Sequence, residues 1–205
     1  MKEEISKVLD ELETQSSLEK ARKVNVPPQD RMLAITKETG EFLNIILRLK
    51  NAKNMLEVGT SAGYSTIWCA EAIAEKSGKI ITIEHNPDKI KRANENFQKS
   101  GLSESILIQE GEAISILKEL SIQEKHNSFF DLVLIDADKE NIIEYFDLIL
   151  PMVSPGGLII TDNMLYPEKY RQEMKKFSDY VKTNPNLRTI TSPIGNGEEF
   201  TIKLK

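Results

Sequence analysis

Five short apolar runs recur along this sequence, at residues 55–58, 80–83, 106–108, 132–135 and 158–161, with amphipathic stretches between them. Strands that are apolar on both faces must be covered on both, and intervening helices supply that cover. The pattern therefore predicts a parallel sheet between helical layers. Residues 141–150, for example, carry Ile142, Phe146 and Ile149 at helical spacing. The last segment changes character. In SPIGNGEEFTIKLK a Gly-Asn-Gly turn separates two extended pieces, which predicts that the sheet ends in an antiparallel strand pair. The expected architecture is α/β, mostly parallel, with helices on both faces.

Ahead of the first run, Ile5, Val8, Leu9 and Leu12 share one helical face within residues 3–12, and Pro27-Pro28 then interrupts regular structure. A second stripe, Phe42, Leu43, Ile46 and Leu49, occupies residues 40–49. No repeat or linker divides the chain, and 205 residues with 40% hydrophobic content suit one core. Residues 1–205 are thus expected to form one domain with a helical N-terminal appendage of about 35 residues. With 27 basic and 32 acidic residues, the net charge of -5 provides no general attraction to nucleic acid or an anionic membrane. The amphipathic start is unlike a signal sequence, and no apolar run approaches the roughly 18 residues of a membrane span. A cytoplasmic location without membrane partners is expected. Cys69 is the single cysteine, which excludes an internal disulfide and a cysteine-based metal cluster; its helical setting suits a small buried residue.

The run LEVGTSAGYS, residues 56–65, reads as a strand, a glycine-bearing turn and a helix start. Gly59 and Gly63 let a ligand approach the backbone, although glycines after a strand also serve turns alone. A side chain at Gly59 is expected to fill the ligand's space and leave the fold intact. The second strand ends in TIEHN, placing Glu84 25 residues beyond Gly59, where a carboxylate can accept both ribose hydroxyls. Glu57 precedes the turn and could hold the ligand's polar end or simply serve as a cap. Thr60, Ser61 and Ala62 stand between the glycines, so the pyrophosphate pattern Gly-x-Gly-x-x-Gly is missing and an adenosine ligand without phosphates fits better.

Two consecutive strand ends carry acids, in FDLVLIDADK and GGLIITDN. Adjacent parallel strands deliver their ends to one sheet edge, so Asp136, Asp162 and Asn163 should converge beside the glycine turn. Oxygen ligands without His or Cys describe a site for Mg²⁺, Ca²⁺ or Mn²⁺; the competing reading is that such aspartates cap the following helices. Lys139 is expected to begin the next helix and point back to this edge. There it could be a general base or an ordinary solvated lysine.

Together LEVGTSAGYST, IEHN, EGEA, LIDADK and GGLIITDN resemble the cation-dependent O-methyltransferases that include the caffeoyl-CoA and catechol enzymes. The resemblance implies a Rossmann-like class I methyltransferase fold, S-adenosylmethionine as cofactor, a divalent cation, Mg²⁺ foremost, and a homodimer. It implies that Glu57, Gly59, Gly63 and Ser65 line the methionine side of the cofactor, that Glu84 binds its ribose, and that Ala113 and Asp138 border it. It also implies Asp136, Asp162 and Asn163 as metal ligands and Lys139 as base. After Asn163 the chain departs from the caffeoyl-CoA pattern: MLYPEKYRQ stands where a tryptophan and an insertion are usual. The expected acceptor is a small catechol-like hydroxyl compound, the alternatives being 5-hydroxyuridine in tRNA and a noncatalytic nucleoside-binding role.

Overall fold

The computed structural model describes residues 1–205. Its sheet contains β1 (Asn54–Val58), β2 (Lys79–Glu84), β3 (Ile106–Glu110), β4 (Phe130–Ile135), β5 (Val153–Thr161), β6 (Leu187–Ser192) and β7 (Glu198–Lys203). They lie in the order β3-β2-β1-β4-β5-β7-β6. The first five pair in parallel, whereas β7 runs antiparallel to both β5 and β6. The expected closing strand pair is present, with β7 inserted between β5 and β6. β5 starts five residues before the apolar run at 158. Gly156, at φ +75°, and a register shift between Phe130 and Leu132 mark the irregular stretch that sequence periodicity does not show.

The helices are α1 (Glu3–Lys20), α2 (Lys37–Leu49), α3 (Tyr64–Ile73), α4 (Pro87–Lys99), α5 (Ala113–Ser121), α6 (Ile142–Ile149) and α7 (Arg171–Lys182). Strand alternation divides the core into two layers. Met55, Ile80, Leu132 and Leu134 face α1 to α4, while Leu56, Val58, Val133 and Ile135 face α5 to α7. β3 is the exception to burial on both faces. It is an edge strand, and Leu107 is 54% exposed.

Ile5, Val8, Leu9 and Leu12 of α1 are buried in the same cluster as Leu43 and Ile67, at about 2 kcal/mol of apolar burial each. The helix runs past Leu12 to Lys20, its buried face continuing through Ser16 and Glu19, of which Glu19 is hydrogen-bonded. Gln15 donates to Glu19 at 2.8 Å, and Glu19 accepts the Met32 N–H at 2.6 Å. Thr36 caps α2 by accepting the Thr39 N–H at 3.2 Å, which starts that helix ahead of the stripe at 40–49.

Candidate active site

β1 ends between β2 and β4, and the chain turns there through Gly59 (φ +102°), Ser61 (φ +50°) and Gly63 (φ +87°) into α3. The Gly59 and Thr60 N–H groups both bond the Ile83 carbonyl, at 3.0 and 3.1 Å. Glu57, fully buried, anchors this loop from beneath. Its Oε1 accepts Ser65 Oγ at 2.6 Å, and its Oε2 accepts Thr66 Oγ1 at 2.5 Å and Thr82 Oγ1 at 2.6 Å. Burial pushes the Glu57 carboxyl above its usual range despite these three donors.

Glu84 stands at the tip of β2 and is 7% exposed. Its Oε2 accepts Ser61 N–H at 2.9 Å, and its Oε1 accepts the N–H groups of His85 and Asn86, each at 3.0 Å. Backbone amides thus fix the carboxylate beside the glycine loop. Gly111 N–H bonds the Glu84 carbonyl at 2.9 Å, which brings half-buried Ala113, the first residue of α5, to the same edge. Asp138 is exposed on that edge. Its carboxylate accepts Asn141 N–H at 3.1 Å, Asn141 Nδ2 at 2.8 Å and the Tyr145 hydroxyl.

The strand ladder extends one residue beyond β4 and β5. Asp136 N–H bonds Val58 O at 2.9 Å and Asp162 N–H bonds Ile135 O at 3.0 Å, so the two aspartates sit side by side. Asp162 is 2% exposed and its Oδ1 accepts Asn163 N–H at 2.5 Å; Asn163, at φ +67°, then turns the chain away. Burial raises both aspartate carboxyls above their usual range, and for Asp136 the neighbouring Asp162 adds to the shift. A buried and a half-buried carboxylate side by side suit a hard divalent cation, with Asn163 as a third oxygen donor.

Lys139 does not begin α6, as the sequence suggested. It lies three residues before Ile142, because Asp138 closes a turn with Asn141 ahead of the helix. That turn brings Lys139 inward. It is the single buried lysine, its Nζ lies 3.9 Å from Asp136 Oδ1, and no hydrogen-bond partner meets it.

Sequence reading missed Glu198, the first residue of β7. It is fully buried, with Oε1 accepting Thr39 Oγ1 at 3.0 Å and Oε2 receiving no donor. Burial, with Asp162 beside it, raises its carboxyl far above the usual range. The available signal was a Glu-Glu pair directly after the Gly-Asn-Gly turn. Also missed was a strap, residues 32–34, which borders a narrow cleft with Gly59, Ser61 and Asp136. Glu19 and Arg92 hold it: Glu19 takes Met32 N–H, and Arg92 Nη1 donates to Asp30 O at 2.9 Å.

Two tests follow from the loop. Glu84→Ala is expected to weaken S-adenosylmethionine binding by about 1 to 3 kcal/mol, through lost hydrogen bonds to a charged acceptor. Calorimetry showing unchanged affinity would refute the ribose assignment. For Gly59→Val the structure corrects the expectation of an intact fold, because a Cβ there would lie 2.1 Å from the Asp136 backbone oxygen. The variant is expected to disturb the β1–β4 junction and lower the thermal midpoint together with ligand affinity. A wild-type melting curve would overturn that.

Residues 5–203 match the O-methyltransferase family. The chain is 40% identical over 141 residues to a catechol O-methyltransferase of Niastella koreensis, a match spanning 69% of this chain and 62% of that protein. It is 30% identical over 196 residues to caffeoyl-CoA O-methyltransferase 5 of Nicotiana tabacum, covering 88% and 81%. Among solved structures, the O-methyltransferase TomG of Streptomyces achromogenes, in complex with S-adenosylmethionine, superimposes with a TM-score of 0.79 at 25% identity. That comparison covers 100% of this chain and 91% of the other. With the sheet order, the glycine loop and the paired strand-end acids in place, and with a match running nearly end to end, the chain belongs to the O-methyltransferase family.

Proposed function

We propose that this protein transfers the methyl group of S-adenosylmethionine to a hydroxyl of a small, catechol-like acceptor, at a divalent-cation site formed by Asp136, Asp162 and Asn163. The observation that carries this reading is Lys139: a buried amine without a hydrogen-bond partner, 3.9 Å from half-buried Asp136, whose neighbour Asp162 is buried. When bound, the cofactor supplies an electrophilic sulfonium methyl and the cation polarises the acceptor hydroxyl.

The remaining work falls to the chain's own groups. Gly59 and Gly63 open the loop to the cofactor, and Ser65 is positioned there by Glu57. Glu84 accepts the ribose hydroxyls, with Ala113 and Asp138 bordering the ligand. The strap at 32–34 limits water access to the loop. Lys139 Nζ takes the proton of the acceptor hydroxyl, leaving an oxygen positioned for in-line attack on the methyl carbon; the methyl–sulfur bond would break as the new C–O bond forms, the electron pair leaving on sulfur as S-adenosylhomocysteine. The proton then passes from Nζ to solvent. An all-oxygen ligand set favours Mg²⁺, with Mn²⁺ and Ca²⁺ as alternatives. The catechol-like acceptor is supported by the Niastella koreensis relative.

The test is methyl transfer from labelled cofactor to a catechol panel and to bulk tRNA, each with and without EDTA. Labelled catechols, lost on chelation, are the expected outcome. Labelling of tRNA instead would replace the acceptor class. Cofactor binding without transfer to any acceptor would count against catalysis, and transfer that survives chelation would remove the cation.

A further inference from the structure

We propose that Tyr145 and Asn141 are positioning residues for cofactor binding, which together hold the Asp138 carboxylate in the orientation that meets the ligand. The inference rests on the reading of Asp138 as a residue bordering S-adenosylmethionine. The sheet order reverses between β1 and β4, and a ligand of such a sheet lies in the crevice outside the strand ends at that point. Asp138 follows the end of β4 by three residues. Its turn begins at Asp136, whose N–H bonds Val58 O at 2.9 Å and whose backbone packs against Gly59. The turn therefore walls the crevice on one side of the glycine loop, with Glu84 at the tip of β2 on the other.

An exposed aspartate on a turn is ordinarily free to change rotamer, but Asp138 is held by three donors. Its Oδ1 accepts Asn141 N–H at 3.1 Å and Asn141 Nδ2 at 2.8 Å, and its Oδ2 accepts the Tyr145 hydroxyl. Closing the turn requires only the Asn141 N–H. The two side-chain donors add nothing to the path of the chain; what they fix is the direction of the carboxylate. Tyr145 is buried in the layer that α5, α6 and α7 form against the sheet, so its packed ring sets where the hydroxyl stands. A carboxylate offers about four acceptor positions, and three donors leave one, on Oδ2, for a donor group of the cofactor. Fixing that oxygen beforehand removes the cost of ordering it on binding. The chain holds a second pair of the same kind as a control. Tyr180 of α7 donates to Asp147 Oδ1 of α6 at 2.7 Å, but both residues are exposed and that carboxylate has no other donor.

The test is S-adenosylmethionine binding by the full chain, measured by calorimetry in a double-mutant cycle. Tyr145→Phe keeps the buried ring and removes only the hydroxyl. It is expected to raise the Kd about fivefold, the scale of one net hydrogen bond. Asp138→Ala should raise it by at least as much, and adding Tyr145→Phe to Asp138→Ala should change nothing further, because the hydroxyl acts through the carboxylate. Tyr180→Phe, which deletes the exposed pair, is expected to leave the Kd unchanged. An equal loss from Tyr145→Phe with and without Asp138 would mean that the hydroxyl acts through packing, and overturns the proposal. Wild-type affinity in Tyr145→Phe beside a weakened Asp138→Ala overturns it as well, while leaving Asp138 at the cofactor. Wild-type affinity in Asp138→Ala removes the underlying reading of Asp138 and the proposal with it. If Tyr145→Phe does not fold, Asn141→Ala decides through the same cycle: a loss of affinity that disappears in Asp138→Ala supports the assignment, and unchanged affinity overturns it.

Discussion

Asp162→Ala is expected to lower methyl transfer by roughly 10³-fold, equivalent to about 4 kcal/mol of transition-state stabilisation, while leaving S-adenosylmethionine affinity nearly unchanged. The two effects separate because of where the residue sits. Asp162 directly follows β5, with β4 between it and the glycine loop after β1 that is proposed to take the cofactor. Its removal takes away the buried carboxylate beside Asp136, whereas the backbone bond from its N–H to Ile135 O is retained. Wild-type protein in EDTA should behave like the variant, and activity should return with Mg²⁺ in the wild type alone. Initial rates with labelled cofactor, paired with calorimetry, make the comparison. Chelator-resistant turnover would end the metal mechanism.

Lys139→Ala should slow transfer by roughly 10²-fold through loss of the proposed acceptor of the hydroxyl proton. Divalent-ion binding should persist, because Lys139 is not one of the proposed oxygen ligands and its loss leaves Asp136, Asp162 and Asn163 in place. Raising the pH should recover part of the rate as more of the acceptor ionises unaided. The pH–rate profile distinguishes this from a packing defect, which would depress turnover at every pH. A wild-type rate would reduce Lys139 to a buried counter-ion of Asp136.

Strand alternation and the acidic strand ends were legible because they depend on local pattern: the LIDADK and LIITDN segments announce both their strands and the edge they reach. Glu198 was not legible in the same way. Its place beside Asp162 depends on β7 passing between β5 and β6, a register that exists only after the sheet has assembled. Lys139 was recognised but misplaced, since the Asp138–Asn141 turn is a side-chain device that helical periodicity does not report. Gly59 reads from sequence as a ligand-clearance residue. The structure adds a tighter constraint, because the Asp136 backbone already occupies the space of its Cβ. The polar second half of α1 escaped notice because Ser16 and Glu19 carry its buried face without apolar side chains.

The insertion of β7 also sets an order of assembly. As the chain is synthesised, β5 appears with β4 on one side and nothing on the other, and the next strand to emerge, β6, is not its neighbour. Until β7 has been made, β5 is an open edge with unpaired backbone groups, the kind of surface that invites pairing with another chain. Asp162 and Glu198, which face each other across β5 and β7, lie 36 positions apart in the sequence, with α7 and all of β6 between them. Closing that distance is a late, long-range event, slow by the general relation between contact separation and folding rate. A nascent chain halted within β6 would carry the complete glycine loop and both aspartates, yet would present an aggregation-prone edge where β7 belongs.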